Sequence, residues 1–131
     1  MATNGGDGRD RLYGNGGRDT LTGGAGDDQL RGGVGNDWLD AGRGNDSVWG
    51  EGGRDTFLFS AGDGQLQVRD YDGTDTIVLR GFAGISDYDD LTAQALIRES
   101  KGRAIIDIAD DRLVIWDVAP ADLTADMFGF A

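Results

Sequence analysis

The chain has 131 residues, the size of one domain or of a short repeat array with a cap. It carries 22 Asp but only 2 Glu, against 11 Arg and 1 Lys, for a formal charge of −12; so strong a bias toward the short-armed carboxylate points to geometry rather than solubility. With no His and no Cys there is no Ser-His-Asp or Cys-His nucleophile, HExxH zinc site, Cys-based finger or disulfide, and with neither a basic stripe nor an apolar run of about 18 residues, neither nucleic-acid binding nor a membrane span is expected.

Seventeen of the 24 glycines fall between Gly5 and Gly53, so the first half reads as repeat or loop and the second as an ordinary fold. The opening MATNGGDG has neither a basic start nor an apolar stretch and does not read as a secretory signal peptide. From Gly5 the chain runs in nines: GGDGRDRLY, GNGGRDTLT, GGAGDDQLR, GGVGNDWLD, AGRGNDSVW, GEGGRDTFL. The sixth position is always Asp (Asp10, Asp19, Asp28, Asp37, Asp46, Asp55) and the eighth always apolar (Leu12, Leu21, Leu30, Leu39, Val48, Phe57). Departures are confined to one glycine each: Asn15 and Glu51 at position two and Ala41 at position one, of which Glu51 is the least comfortable in left-handed backbone.

This pattern resembles the RTX family, whose nonapeptide GGxGxDxUx forms a calcium-binding β-helix. The resemblance covers residues 5–58 and continues more weakly through FSAGDGQLQVRDYDGTDTIVLRG, which is similar to the degenerate ends of such arrays in secreted proteases, lipases and mannuronan epimerases.

Elementary geometry leads to the same fold. Six Gly-rich residues make a tight turn, and the last three make a short strand whose middle side chain points inward. Two units then close a coil of 18 residues, giving an all-β, right-handed parallel β-roll in which odd units stack on odd and even on even, with coils about 4.8 Å apart. Asp10 then lies beside Asp28 and Asp28 beside Asp46, Asp19 beside Asp37 and Asp37 beside Asp55. Rows of carboxylates at this spacing repel one another unless a cation lies between them, and a carbonyl-rich, irregular oxygen cage suits Ca²⁺ better than Mg²⁺.

The family pattern implies that the lower loop gives the carbonyls of positions two and four plus its Asp, and the upper loop those of positions one and three plus its own. The first site is then Gly6, Gly8, Asp10, Gly23, Ala25 and Asp28. The second is Asn15, Gly17, Asp19, Gly32, Val34 and Asp37. Gly24, Gly26, Asp28, Ala41, Arg43 and Asp46 make the third, and Gly33, Gly35, Asp37, Gly50, Gly52 and Asp55 the fourth. About four Ca²⁺ are thus implied. A fifth site is open, with Gly42, Gly44 and Asp46 below and Asp63 near the place of a seventh ligand. Asp70, Asp72 and Asp75 read as a solvated turn in preference to a terminal site. Without metal, residues 5–55 bury too little apolar surface to stay ordered.

Residues 59–131 read as a mixed β/α cap over the open end of the roll. Thr56–Phe59 and Thr76–Leu79 are expected strands. Ser86 is the expected cap of a helix over Asp87–Glu99 that Lys101-Gly102 ends. Ala104–Ile108 and Leu113–Val118 alternate as a hairpin around Ala109–Arg112, and Pro120–Leu123 suggests a helical turn. The tail DMFGFA is similar to the uncleaved ends of proteins exported by type I secretion, apart from Gly129 and Ala131, while Phe128 and Phe130 also suit a core.

Together these imply a non-catalytic, monomeric calcium-binding module that folds outside a bacterial cell, at the surface or in the medium. Its expected partners are the upstream domain of a longer protein, of which this is the C-terminal part with Met1 and Ala2 of cloning origin, and the type I secretion machinery. The alternative is a carbohydrate-binding module like those of the epimerases, since the outward ninth positions Tyr13, Arg31 and Trp49 form a column and Trp38 lies beside Thr20 and Thr56 on the other face. That column serves equally as a cation–π ladder or as packing against the cap.

Overall fold

A three-residue strand with one inward side chain buries too little to persist alone, so each must stack on copies of itself. They do so in the computed structural model, which describes residues 2–131; Met1 lies outside them. Strands β1 (Ala2–Asp7), β2 (Arg11–Tyr13), β3 (Thr20–Ala25), β4 (Gln29–Val34), β5 (Trp38–Asp40), β6 (Gly44–Gly52) and β7 (Thr56–Ser60) alternate between two sheets, and every pairing among them is parallel. The register is 18 residues: Leu12 pairs with Leu30 and Leu30 with Val48, Leu21 with Leu39 and Leu39 with Phe57. All six are buried between the sheets.

Two features exceed the expectation. Strands β3, β4 and β6 run on into the first positions of the following unit, where Gly6 pairs with Gly24 and Gly33 with Glu51, so the turns are themselves part of the ladder. Ahead of the first unit, Ala2–Asn4 add a further strand, with Thr3 beneath Leu21.

The roll does not stop at the last ideal repeat. Strand β8 (Gly64–Val68) stacks on β6 and β9 (Thr76–Arg80) on β7, but the stagger has grown to 20 residues, with Val48 opposite Val68 and Phe57 opposite Ile77. The result is a parallel β-solenoid of about four turns.

Helix α1 (Tyr88–Gln94) is shorter than the expected Asp87–Glu99. Its N-cap is Asp87, whose carboxylate accepts the Asp90 amide, while Ser86 Oγ donates to Asp90 Oδ2. The remainder, β10 (Leu96–Ser100), is a strand antiparallel to β11 (Arg103–Ile108). Lys101 and Gly102 both have positive φ, at 55° and 76°, and form the two-residue turn of that hairpin rather than a helix end. The second hairpin turns at Ala109-Asp110 into β12 (Asp111–Trp116), which lies parallel on β8. Two short 3-10 turns, Pro120–Asp122 and Ala125–Met127, lead to β13 (Phe128–Phe130), parallel on β9. The cap therefore finishes both sheets with hydrogen-bonded strands, and one apolar core runs from Leu12 to Phe128.

Candidate metal centre

The 18-residue register sets each six-residue turn over an earlier one and gathers the sixth-position aspartates into two columns, Asp10–Asp28–Asp46 and Asp19–Asp37–Asp55. Within them the lower main-chain N–H donates to the Oδ1 above: Asp10 to Asp28, Asp19 to Asp37 and Asp28 to Asp46 at 2.8 Å, and Asp37 to Asp55 at 2.9 Å. The second oxygen has no such donor. Oδ2 of Asp10, Asp28, Asp37, Asp46 and Asp55 is buried with no hydrogen-bond partner. A buried polar atom left unpaired costs about 1–3 kcal/mol, and more when charged, so a repeated set of them is a set of places for a cation.

The neighbouring carbonyls fit that reading. A Cβ built on Gly5 would lie 2.7 Å from Asp10 Oδ2 and 2.8 Å from the Gly23 carbonyl oxygen. The same missing methyl at Gly23 meets Asp28 Oδ2 and the Ala41 carbonyl, and at Gly32 meets Asp37 Oδ2 and the Gly50 carbonyl. The lower carboxylate and the upper position-one carbonyl thus face one small space. At positions two and four the constraint is different, because a Cβ on Gly24, Gly26, Gly33, Gly35, Gly42 or Gly44 would overlap the carbonyl of the equivalent residue one coil below. Asn15 and Glu51 hold position two with φ of 73° and 68°.

The position-three carbonyls of Ala25, Val34, Arg43 and Gly52 accept the amides of Gly8, Gly17, Gly26 and Gly35, and the position-two carbonyls of Asn15 and Gly24 accept the amides of Val34 and Arg43. Each keeps a second lone pair. Among the described residues no three acidic side chains converge, so any cage here draws mainly on main-chain oxygen, as Ca²⁺ allows.

Electrostatics point the same way. Burial first, and then the neighbouring aspartates, raise the carboxyls of Asp28 and Asp37, against the opposing hydrogen bonds from below. Asp46 and Asp55 are pushed up to about 7, again chiefly by burial. At neutral pH, carboxyls held like those of Asp46 and Asp55 ionise fully only when a cation offsets the charge.

At the upper ends the columns part company. Asp46 pairs with Leu66, so the seventh loop has no carboxylate in register. Asp63 stands earlier in that loop: its carbonyl accepts the Gly44 amide, as position-three carbonyls do below, and its Oδ2 accepts the Ser60 amide. Asp111 from the cap holds the loop from above, accepting the amides of Gly62 and Gly64 at 2.9 Å. In the other column Asp75 is buried and its Oδ1 accepts the Asp55 amide at 2.9 Å. The reading of Asp75 as part of a solvated turn is therefore corrected. The signal that could have found it is the Asp at 20 residues rather than 18.

The outer face of the second sheet carries a row of alternating aromatics and cations. Tyr13 pairs with Arg31 and Arg31 with Trp49; the Arg31 guanidinium lies 4.3 Å from the Trp49 ring centre. Arg69 follows, 5.4 Å from Trp49 and 3.8 Å from Trp116, and Arg103 lies 4.3 Å beyond. The cation–π ladder exists and runs from the repeats into the cap. On the first sheet Trp38 pairs with Thr20 and Thr56 and is exposed.

The model of the RTX calcium-binding nonapeptide repeat (4 copies) matches residues 4–39 and again 31–66. No curated protein matches the chain. Among solved structures it is similar to the extracellular lipase LipA from Serratia marcescens, at 25% identity and a TM-score of 0.80, over 99% of this chain and 21% of the lipase chain. It is also similar to two subunits of the Azotobacter vinelandii mannuronan C5-epimerase, each at 27% identity. AlgE6R3 has a TM-score of 0.70 over 97% of this chain and 81% of its own, and AlgE6R2 has 0.69 over 100% and 93%. The chain spans about a fifth of the length of the lipase. By its period, its register and this match, the chain belongs to the RTX family of calcium-binding nonapeptide repeats.

Proposed function

We propose that this chain is a calcium-gated folding module, residues 5–58 holding the ions and residues 59–131 capping them, that serves the export and stability of a larger secreted bacterial protein. The observation that carries it is the set of buried carboxylate oxygens without a donor, those of Asp10, Asp28 and Asp37 each sharing a small space with an upper-loop carbonyl. The four cages are those the repeat pattern implies: Asp10 with Asp28, Asp19 with Asp37, Asp28 with Asp46 and Asp37 with Asp55. A fifth, over Asp46, draws on Gly42, Gly44 and Asp63 and lacks the upper sixth-position carboxylate.

Bound Ca²⁺ supplies positive charge; the chain supplies the rest. Its glycines let main-chain oxygens approach, and its amides hold each Oδ1 in place. Extracellular modules bind Ca²⁺ at about 10⁻⁴–10⁻³ M, far above cytosolic levels, so the repeats stay open during export by a type I pathway and close outside. If free Ca²⁺ exceeds the dissociation constant by about 10 to 100 times, each site contributes about 1.4–2.7 kcal/mol, enough for four to carry the fold. No residue of this module is assigned a catalytic role; the activity belongs to the upstream part.

Circular dichroism of the purified chain with chelator, with Ca²⁺ and with Mg²⁺ tests this. Loss of β structure on chelation, regained cooperatively with Ca²⁺ and not with equal Mg²⁺, is expected; an unchanged spectrum on chelation refutes it.

A second reading is polysaccharide binding. Net charge disfavours a polyanion unless the arginines gather on one face, and Arg31, Arg69 and Arg103 do gather in the aromatic row. A glycan array read with and without Ca²⁺ separates the two functions.

A further inference from the structure

We propose that Asn15-Gly16 is a self-modification site controlled by the metal state: while the roll is open Asn15 deamidates and the second cage is lost for good, and while the roll is closed the pair is protected. The proposal rests on the calcium reading of the repeats and adds a reaction that their motif does not contain.

Three observations carry it. First, the pair stands where the fold asks for neither residue. Position two is glycine in Gly6, Gly24, Gly33 and Gly42, and Gly16 shares position three with Asp7, Ala25, Val34 and Arg43. A Cβ on Gly16 would meet nothing within 4 Å, and both residues of the pair are exposed. A side-chain amide followed by an unhindered glycine nitrogen is set up to cyclise; Asn36 and Asn45 are instead followed by Asp37 and Asp46, whose side chains crowd the attack. In the reaction the Gly16 main-chain nitrogen bonds to Asn15 Cγ, the Cγ–Nδ2 bond breaks, and Nδ2 leaves as ammonia with the Gly16 amide proton. Water then opens the five-membered succinimide at either carbonyl, giving aspartate or isoaspartate, the latter with one more carbon in the main chain.

Second, the closed roll pins the peptide plane that this attack must turn. The Asn15 carbonyl accepts the Val34 amide at 2.7 Å, the Gly17 amide donates to the Val34 carbonyl at 2.8 Å, and Gly16 bridges to Val34 between them. Gly33 packs so closely on the Asn15 carbonyl that a Cβ there would overlap it. Opening the coil releases all of these together. Third, the damage falls on a ligand. The repeat pattern assigns the Asn15 carbonyl to the second cage, with Asp19 and Asp37, and an isoaspartate moves that carbonyl one carbon along the chain, out of the register that Asp19 and Asp37 keep. Asn4-Gly5 is the same dipeptide, but Asn4 precedes the first unit and belongs to no cage, so its conversion removes no ion.

The test is to age the full chain at neutral pH with Ca²⁺ and with chelator, to follow Asn15 by peptide mapping in a mass spectrometer, and then to count Ca²⁺ by calorimetry. One site at ten times its dissociation constant already suppresses opening about tenfold, so conversion at Asn15 is expected to be at least about tenfold slower in Ca²⁺. The chain aged in chelator should bind one ion fewer once Asn15 is converted. Asn15→Gly, which restores the usual position-two residue, should keep its full count after the same treatment, and Gly16→Ala should slow the conversion. Equal rates in the two solutions, or an undiminished count after conversion, overturn the proposal, whereas a fresh chain that binds no Ca²⁺ overturns the reading of the repeats. Should the converted chain fail to refold, the two rates from peptide mapping decide alone.

Discussion

The amide of Asp10 donates to Oδ1 of Asp28 across 18 residues at 2.8 Å, and the same bond recurs between Asp28 and Asp46. Each inner carboxylate therefore faces two neighbours, one through Oδ1 and one through Oδ2. Sharing of this kind makes the cost of losing an aspartate depend on its height in the column. Asp37 lies between Asp19 and Asp55, whereas Asp10 begins its column.

Asp37→Ala is accordingly expected to lose about two ions and to move the calcium midpoint far more than Asp10→Ala, which loses about one. Titration calorimetry of both variants measures this. Equal losses would mean that each loop wraps an ion of its own and that the shared-cage arrangement is wrong.

The pH dependence follows from Asp46 and Asp55, raised to about 7 from an ordinary 3.8, chiefly by burial. Without metal the folded chain binds protons more tightly than the unfolded chain, so these groups favour the fold below about pH 4. That contribution declines as pH rises and is gone above about 7. Calcium reverses the trend, because binding must expel those protons. Metal-free protein is expected to show more β structure at about pH 5 than at about pH 8, while the calcium midpoint falls over the same range. A midpoint insensitive to pH between those values would rule out protonated carboxyls in the metal-free roll.

Much of this fold was legible because the repeat states its own register. Six aspartates and six apolar residues in phase leave one way to stack, and Leu12, Leu30 and Val48 stack that way. Legibility failed where the period did. The stagger of 20 hid Asp75, whose role depends on a partner in another coil rather than on its neighbours in sequence. The helix was overextended for a related reason: Leu96–Ser100 carries no local signal against helix, and only the Lys101-Gly102 turn, with both residues left-handed, commits it to pair with β11. Asp111 shows the same limit, since its two bonds to Gly62 and Gly64 span nearly fifty residues.

Position two of the repeat offers substitutions of opposite sign. Glu51 has φ of 68°, a conformation that costs an L-residue roughly 1–2 kcal/mol, and its exposed pairing with Arg31 at 3.7 Å offsets at most about 1 kcal/mol of that. Glycine removes the strain but brings a more flexible unfolded chain, so Glu51→Gly is expected to stabilise by about 0.5–1 kcal/mol. At Gly33, with φ of 93°, a methyl would overlap the Asn15 carbonyl, and Gly33→Ala should keep the coil from closing. Denaturation in saturating Ca²⁺ compares the two; destabilisation by Glu51→Gly would show that its side chain is held by more than the ion pair.

Arg69 joins the roll to its cap. It lies between Trp49 of β6 and Trp116 of β12, 5.4 and 3.8 Å from their ring centres, and Trp116 is itself anchored by a 3.0 Å hydrogen bond from Nε1 to Gln67 Oε1. Partly exposed cation–π contacts contribute about 0.5–1 kcal/mol each, so Arg69→Ala should cost about 1–2 kcal/mol, and Arg69→Lys less, because an ammonium keeps the charge without the flat stacking surface. Since the cap completes both sheets, the loss should also raise the calcium midpoint, although no proposed ligand has changed. A double-mutant cycle with Trp116→Leu isolates the contact: the two effects should fall short of additive by at least about 0.5 kcal/mol. Additive effects with an unchanged midpoint would make the row a surface feature and leave the joining of cap to roll to the strand pairings of β12 on β8 and β13 on β9 and to the shared core.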